Sequence, residues 1–226
     1  MRTLLRRVFA AQCLACSERL RLGTTTPWCP ACEVATIAAG CWRRAQEHKP
    51  GLPTAASWCY GGPIATAITA FKWRKVEPDI EALADGMTRL LRQRAGDGYC
   101  QIVAVAPQLE RLRKRGFHLP DLLAQKMSGN GVHVEPVLWR RDRQPTRSSR
   151  SQLDPVFAAS RPGHGAKVWL VDDVITTGRT LACAAHALER VGWSVAGAIC
   201  LCDARPSVLW RCQRPDRDDQ WMSSSP

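Results

Sequence analysis

Short, densely apolar runs alternate along this chain with longer stretches whose apolar residues recur at helical spacing. The runs at 57–60, 101–107, 132–138, 168–171 and 194–201 read as strands, bounded by Gly, Pro or charged residues. Residues 64–71 carry apolar positions at helical intervals. Residues 79–94 do so more strongly, with Ile80, Leu83, Ala84, Met87, Leu90 and Leu91 on one face and arginines gathered late. A further helix is predicted to open near Leu119, and an alanine-rich one to span 181–191, closed by Gly192. Strands alternating with helices predict an α/β fold, a mostly parallel sheet with helices on both faces, because parallel neighbours require crossovers. Ligands of such a sheet gather at the C-terminal rim of its strands.

The most informative stretch is 168–180. Four apolar residues, Val168 to Val171, are followed directly by Asp172 and Asp173, which places two carboxylates at a strand end. Val174, Ile175, Thr176, Thr177, Gly178, Arg179 and Thr180 then lead into the next helix. A helix N-terminus offers unpaired backbone N–H groups and a partial positive charge, which suits a phosphate. The threonines add hydroxyl donors and Gly178 lets the backbone approach closely. The two acids repel a phosphate and need hydroxyl donors or a cation instead. A ribose 5-phosphate meets both demands. The alternative is an ordinary buried strand with an acidic N-cap on the following helix.

Cys13, Cys16, Cys29 and Cys32 form two CxxC knuckles, the arrangement that supplies four thiolates to a tetrahedral zinc ion from a short segment. Cys41 is a possible substitute ligand. A closed four-cysteine site has no open position, so its zinc is expected to be structural. The organisation expected is a zinc-ribbon-like module with its lead-in over 1–45, a Pro-containing linker over 46–56, the α/β domain over 57–205 and a polar tail over 206–226. The arginine-rich stretch 140–150 has no apolar period and is expected to be a mobile loop.

Composition changes this picture in two ways. With 32 Lys and Arg against 20 Asp and Glu, the net charge is +12, which suits an anionic partner such as a diphosphate or nucleic acid, or else a solvated basic face. Candidate contacts are Lys72 and Arg74, interleaved with Phe71 and Trp73, and Arg113 and Arg115 in a basic loop after the 101–107 strand. Cations at a helix C-terminus explain the first cluster equally well. The second change concerns location. Eleven cysteines, an odd number, favour free thiols in a reducing cytoplasm over a disulfide framework. No signal peptide and no membrane-length apolar run are read in the sequence.

Residues 168–180 resemble the 5-phosphoribosyl-1-diphosphate (PRPP) signature of the type I phosphoribosyltransferases: apolar strand, two acids, Thr/Gly phosphate loop. Taken in order with the cysteine knuckles, with Phe71, Lys72 and Trp73, and with Arg115, Gly116 and Phe117, they make the chain similar to the ComF family over 13–202. That family joins an N-terminal zinc finger to a phosphoribosyltransferase-like domain and is associated with DNA uptake in natural competence. The resemblance implies that Asp172 and Asp173 face the ribose hydroxyls while Thr176, Thr177, Gly178 and Thr180 hold the 5-phosphate. It implies magnesium bound mainly through the ligand's diphosphate and hydroxyls.

The chain departs from the family pattern at Ala104 to Pro107, at His118 and Leu119, and in the abbreviated stretch after Arg140, all where diphosphate or acceptor is expected. Thr176 stands where purine-salvage enzymes carry an aspartate. Two functions follow: transfer of phosphoribose from PRPP to an unidentified acceptor, or the handling of single-stranded DNA by a protein that retains the ribose-phosphate site. A partner in the DNA-uptake machinery accompanies either.

Overall fold

The computed structural model describes residues 12–21, 28–38, 46–47, 52–74, 80–141 and 156–204. The strands are β1 (Gln46–Glu47), β2 (Pro53–Cys59), β3 (Cys100–Ala104), β4 (Val132–Val134), β5 (Leu138–Arg140), β6 (Phe157–Ala159), β7 (Lys167–Ile175) and β8 (Ser194–Asp203). The helices are α1 (Pro30–Ala38), α2 (Gly62–Arg74), α3 (Glu81–Ala95), α4 (Leu109–Arg115), α5 (Leu119–Met127) and α6 (Arg179–Glu189).

The main sheet has the order β1-β2-β8-β7-β3-β4. Only the short edge strand β1 is antiparallel; β2, β8, β7, β3 and β4 run parallel. The central strands are apolar throughout because both faces are covered, as a parallel sheet requires. Their side chains alternate between two cores. Trp169 and Val171 of β7 join Leu83, Met87 and Leu91 of α3 and Leu123 of α5 on one face. Val168 and Leu170 join Leu181, Ala184 and Leu188 of α6 on the other. The predicted mostly parallel α/β sheet is what forms.

The sheet begins earlier in the chain than the apolar pattern implies. Residues 46–56, expected as a linker, include β1 and the start of β2, whose Thr54, Ala55 and Ala56 are buried. Small side chains give a weak strand signal, and their burial comes from pairing with Ala198, Ile199 and Cys200 of β8. The expected 132–138 strand divides into β4, on the main sheet, and β5, which pairs with β6 in a separate two-stranded ribbon. The expected loop at 140–150 and the tail over 206–226 lie largely or wholly outside the described residues.

The cysteine segment is not a detached appendage. Cys13, Leu20, Trp28 and Cys29 belong to the same core as Ile64, Ala67, Ile68 and Phe71 of α2. The second knuckle opens a helix: Glu33 N–H donates to Cys29 O at 2.8 Å, the first turn of α1.

At the register irregularity between Val168 and Trp169, β8 carries Gly197. A Cβ there would stand 2.6 Å from both the Pro53 carbonyl oxygen and the Trp169 ring. The absent side chain is what lets the Trp169 indole lie over β8 on that face of the sheet.

Candidate functional site

A cavity of about 420 Å³ opens at the C-terminal rim of the sheet. The residues that end or follow four parallel strands build it: Tyr60 after β2, residues 105–108 after β3, Asp172, Asp173, Val174 and Thr176 from β7 and its turn, and Ala204 after β8. This is the crevice position that parallel topology predicts.

The acids do not end β7. The strand continues through both to Ile175, because β8 runs on to Asp203 and supplies ladder partners for Asp172, Val174 and Ile175. Asp172 is therefore buried and faces Cys200 across the ladder. Its Oδ1 accepts the Asp173 N–H at 2.8 Å, and Asp173 Oδ1 accepts the Val174 N–H at 2.7 Å. Burial first, then the Asp173 charge, pushes the Asp172 carboxyl up to about 8, against the pull of the Asp173 N–H and Lys72. Burial, followed by the charges of Asp172, Asp173 and Asp203, also drives the Cys200 thiol well above its ordinary range.

Lys72, expected as a contact for a diphosphate or nucleic acid, lines the cavity and is ion-paired there. Its Nζ lies 2.7 Å from Asp173 Oδ2 in a largely buried ion pair. Phe71 beside it is buried in the core, so the expected aromatic-basic patch offers no Phe71 ring for stacking. The side chains of Trp73 and Arg74 lie outside the described residues.

Thr176 and Thr180 line the cavity, whereas the exposed Thr177 turns its Oγ1 back to accept the Arg179 N–H at 3.4 Å. Gly178, at the N-cap of α6, has φ 72°, the left-handed conformation that glycine adopts without strain. Val174 reaches the cavity; Ile175 is instead buried in the core against α6, and Arg179 is exposed away from the cavity lining.

The expected basic loop over 111–118 is largely a helix, α4. On a helix, residues four apart share a face and residues two apart do not. Arg111 and Arg115 accordingly line the cavity, and Arg113 is exposed outside it. Gly116 ends α4 at φ 77°. His118 also lines the cavity, with Nδ1 2.9 Å from Asp121 Oδ2.

The N-terminal cysteines form the second cluster. The Sγ atoms of Cys13, Cys16, Cys29 and Cys32 all lie within 4.8 Å of one another, with Cys16 and Cys29 at 3.6 Å. Tetrahedral thiolates on metal–sulfur bonds of about 2.3 Å stand about 3.8 Å apart, so this donor set fits such an ion. Burial opposes ionisation of Cys13, but backbone N–H groups of Cys16, Cys29 and Ala15 outweigh it and bring the thiol down to about 7. Burial and the neighbouring thiols push Cys32 up. Cys41, the possible substitute, lies outside the described residues.

Residues 79–218 match the phosphoribosyl transferase domain model. That span is more than half of the chain and contains the acids, the threonine turn and α4. The chain belongs to the phosphoribosyl transferase domain family. It is 28% identical over 205 residues to a DNA utilization protein YhgH of Escherichia coli O157:H7, covering 84% of this chain and 89% of that protein. A protein of the same name from Salmonella typhimurium is 26% identical over 208 residues, with the same shares covered. Among solved structures, adenine phosphoribosyltransferase from Saccharomyces cerevisiae matches at 19% identity and TM-score 0.40, over 61% of this chain and 74% of its own. Among the described residues no helix is long and apolar enough to cross a membrane. The ComF resemblance agrees with the domain match, these relatives and the four close cysteines.

Tyr60, Arg111, His118 and Arg140 line this phosphoribosyltransferase-family cavity without having stood among the expected site residues. Arg111 had a usable signal, its spacing of four from Arg115. Arg140 had none, since only the placement of the β5–β6 ribbon brings it to the cavity.

The raised carboxyl makes stability depend on pH. Folding holds the Asp172 proton more tightly than the unfolded chain does, so its contribution is complete below the ordinary carboxylate range and lost as pH rises through about 8. Asp172→Asn keeps an acceptor for the Asp173 N–H and removes the titration. Thermal melts of ligand-free protein should show the variant more stable than wild type at pH 8.5 and the gap narrowing steadily as pH falls toward 4, with about 2–4 °C for each kcal/mol recovered.

Proposed function

We propose that this chain is a PRPP-binding protein of the ComF type, linked to DNA uptake, whose rim cavity receives the ribose 5-phosphate and the diphosphate together. The observation that carries it is the meeting, in one cavity, of an acid pair, a threonine turn at a helix N-terminus and the Arg111–Arg115 face of α4. Asp172 and Asp173 take the ribose hydroxyls. Thr176, Thr180 and the first N–H groups of α6 take the 5-phosphate, with Gly178 admitting it closely. Arg111 and Arg115 take the diphosphate by charge-assisted hydrogen bonds. If the chain transfers phosphoribose, an acceptor lone pair forms the new bond to the anomeric carbon as the bond to diphosphate breaks, and diphosphate leaves with the electron pair of the broken bond.

Magnesium on the ligand's diphosphate would neutralise leaving-group charge. The acid pair is not a ready cage for it, because both Asp173 oxygens are already engaged and one Asp172 oxygen accepts a backbone N–H. The 1–45 segment acts as a zinc-holding brace on the domain over 57–205, through the core it shares with α2. A cytoplasmic location suits PRPP and the free thiols of Cys13, Cys16, Cys29 and Cys32, whereas the disulfide-bonded Cys59 departs from the expectation of free thiols.

Isothermal titration of PRPP with Mg²⁺ should give saturable binding, which Asp172→Ala with Asp173→Ala or Thr176→Ala with Thr180→Ala weakens at least about tenfold, or about 1.4 kcal/mol. No heat from native protein would sink the proposal.

Metal analysis of protein expressed with ample zinc should return about one zinc per chain, and chelation should lower the melting temperature. A content far below one, in protein that is folded, overturns the zinc reading.

A second reading, single-stranded DNA handling, is favoured by a specific surface. Trp139 on β5 is exposed, and the Arg141 guanidinium lies 5.6 Å from its ring centroid. Arg140 sits 5.4 Å over Phe157 and lines the cavity. A base stacking on Trp139 would place its phosphate near Arg141, and such stacking is worth about 1–3 kcal/mol. Fluorescence anisotropy with a mixed-sequence single strand at low salt should show Trp139→Ala binding roughly 5- to 150-fold more weakly. Equal affinity in the variant would remove the support.

A further inference from the structure

The Lys72–Asp173 pair has a consequence for the metal requirement of the site. Lys72 is near the C-terminal end of α2, a helix whose Ile64, Ala67, Ile68 and Phe71 are buried in the core shared with Cys13, Trp28 and Cys29. The helix is thus held in register, and Phe71, buried immediately before Lys72, sets where the ammonium emerges. Nζ then stands 2.7 Å from Asp173 Oδ2, at the cavity wall that also contains Asp172. The remaining Asp173 oxygen is occupied by the Val174 N–H.

A divalent cation approaching these acids needs carboxylate oxygens at about 2.0–2.1 Å for magnesium, in a near-octahedral shell. At Asp173 it meets an ammonium already in contact with Oδ2, and the two positive charges repel across a partly buried site. The ammonium supplies the positive charge that the acid pair requires, and it is covalently fixed to the protein.

We propose that Lys72 is a built-in cation in the place a divalent metal would take beside Asp172 and Asp173, so that ribose recognition at this end of the cavity is metal-independent. Any magnesium requirement of the protein is then confined to the ligand's diphosphate. Lys72 acts as a positioning residue: it holds Asp173 in place as an acceptor, and it excludes metal from the acid pair. The inference rests on the reading of the acids as ribose-facing, but its metal-exclusion half stands independently.

The test uses the full chain in its zinc-replete form, with two probes. Manganese(II) alone, followed by electron paramagnetic resonance, reports a metal site at the acids. Wild type and Lys72→Arg should leave the free-ion signal unchanged, whereas Lys72→Met should bind the ion at least about tenfold more tightly and lose that gain when Asp173→Asn is added. Ribose 5-phosphate, which lacks a diphosphate, is titrated calorimetrically with Mg²⁺ or in Mg²⁺-free buffer without chelator, so that the cysteine cluster keeps its zinc. Wild-type affinity should be equal in both, and Lys72→Met should bind more weakly without Mg²⁺ and recover with it. Manganese bound by wild type and abolished by Asp173→Asn overturns the proposal, as does a Lys72→Met protein with a native melting profile that gains no site. If wild type binds no ribose 5-phosphate under either condition, the ribose reading fails, while the manganese result still decides whether Lys72 excludes metal.

Discussion

Two adjacent carboxylates are carried inside a parallel ladder rather than beyond its end, and the electrostatics of the cavity follow from that placement. Because β8 continues beside β7 as far as Asp203, Asp172 loses solvent and its neighbour's charge acts through protein rather than water. The pair is tolerable only because backbone N–H groups and Lys72 meet the acids and because one carboxyl is held in its protonated form near neutrality. Strongly perturbed acids in a cleft mark functional sites more often than stable cores, since a fold without a use for them gains by replacing them.

Around that pair, each remaining part supplies what the acids cannot. The turn at Gly178 and the N-terminus of α6 carry partial positive charge of the kind that suits an anion. The helix α4 presents Arg111 and Arg115 to the same cavity, and the β5–β6 ribbon brings Arg140. The N-terminal cysteine cluster reaches the site through α2: its buried Cys13 and Cys29 pack in the core that also holds Phe71, next to Lys72. A cysteine cluster able to hold a metal and the rim cavity are therefore one helix apart, which gives a physical reason for their union in one chain.

Much of the fold was legible in the sequence, for identifiable reasons. A parallel sheet buried on both faces needs uninterrupted apolar strands, and 168–171 is such a run. An amphipathic helix against that sheet needs a stripe, and Leu83, Met87, Leu90 and Leu91 form it. The β2 start at Pro53 was not legible, because Ala55 and Ala56 carry too little apolar surface to announce a strand. Of the site, the threonine turn and the acids were visible because they are contiguous. The separation of Arg115 from Arg113 was not, because it depends on 109–115 being helical, which a dense positive run obscures.

By itself the sequence determined the chemistry on offer: four thiolates at knuckle spacing, two carboxylates joined to a threonine turn, and a surplus of arginine. These are local, contiguous properties, and covalent connectivity suffices to establish them. Only the tertiary structure decided which charges meet. It assigned Lys72 to Asp173 instead of to an anion, buried Phe71, joined the cysteine segment to the main core, and brought Tyr60, Arg111 and Arg140 to one cavity. Those outcomes depend on strand order and helix register, which bring residues far apart in the chain within a few ångströms, and no local pattern encodes that distance.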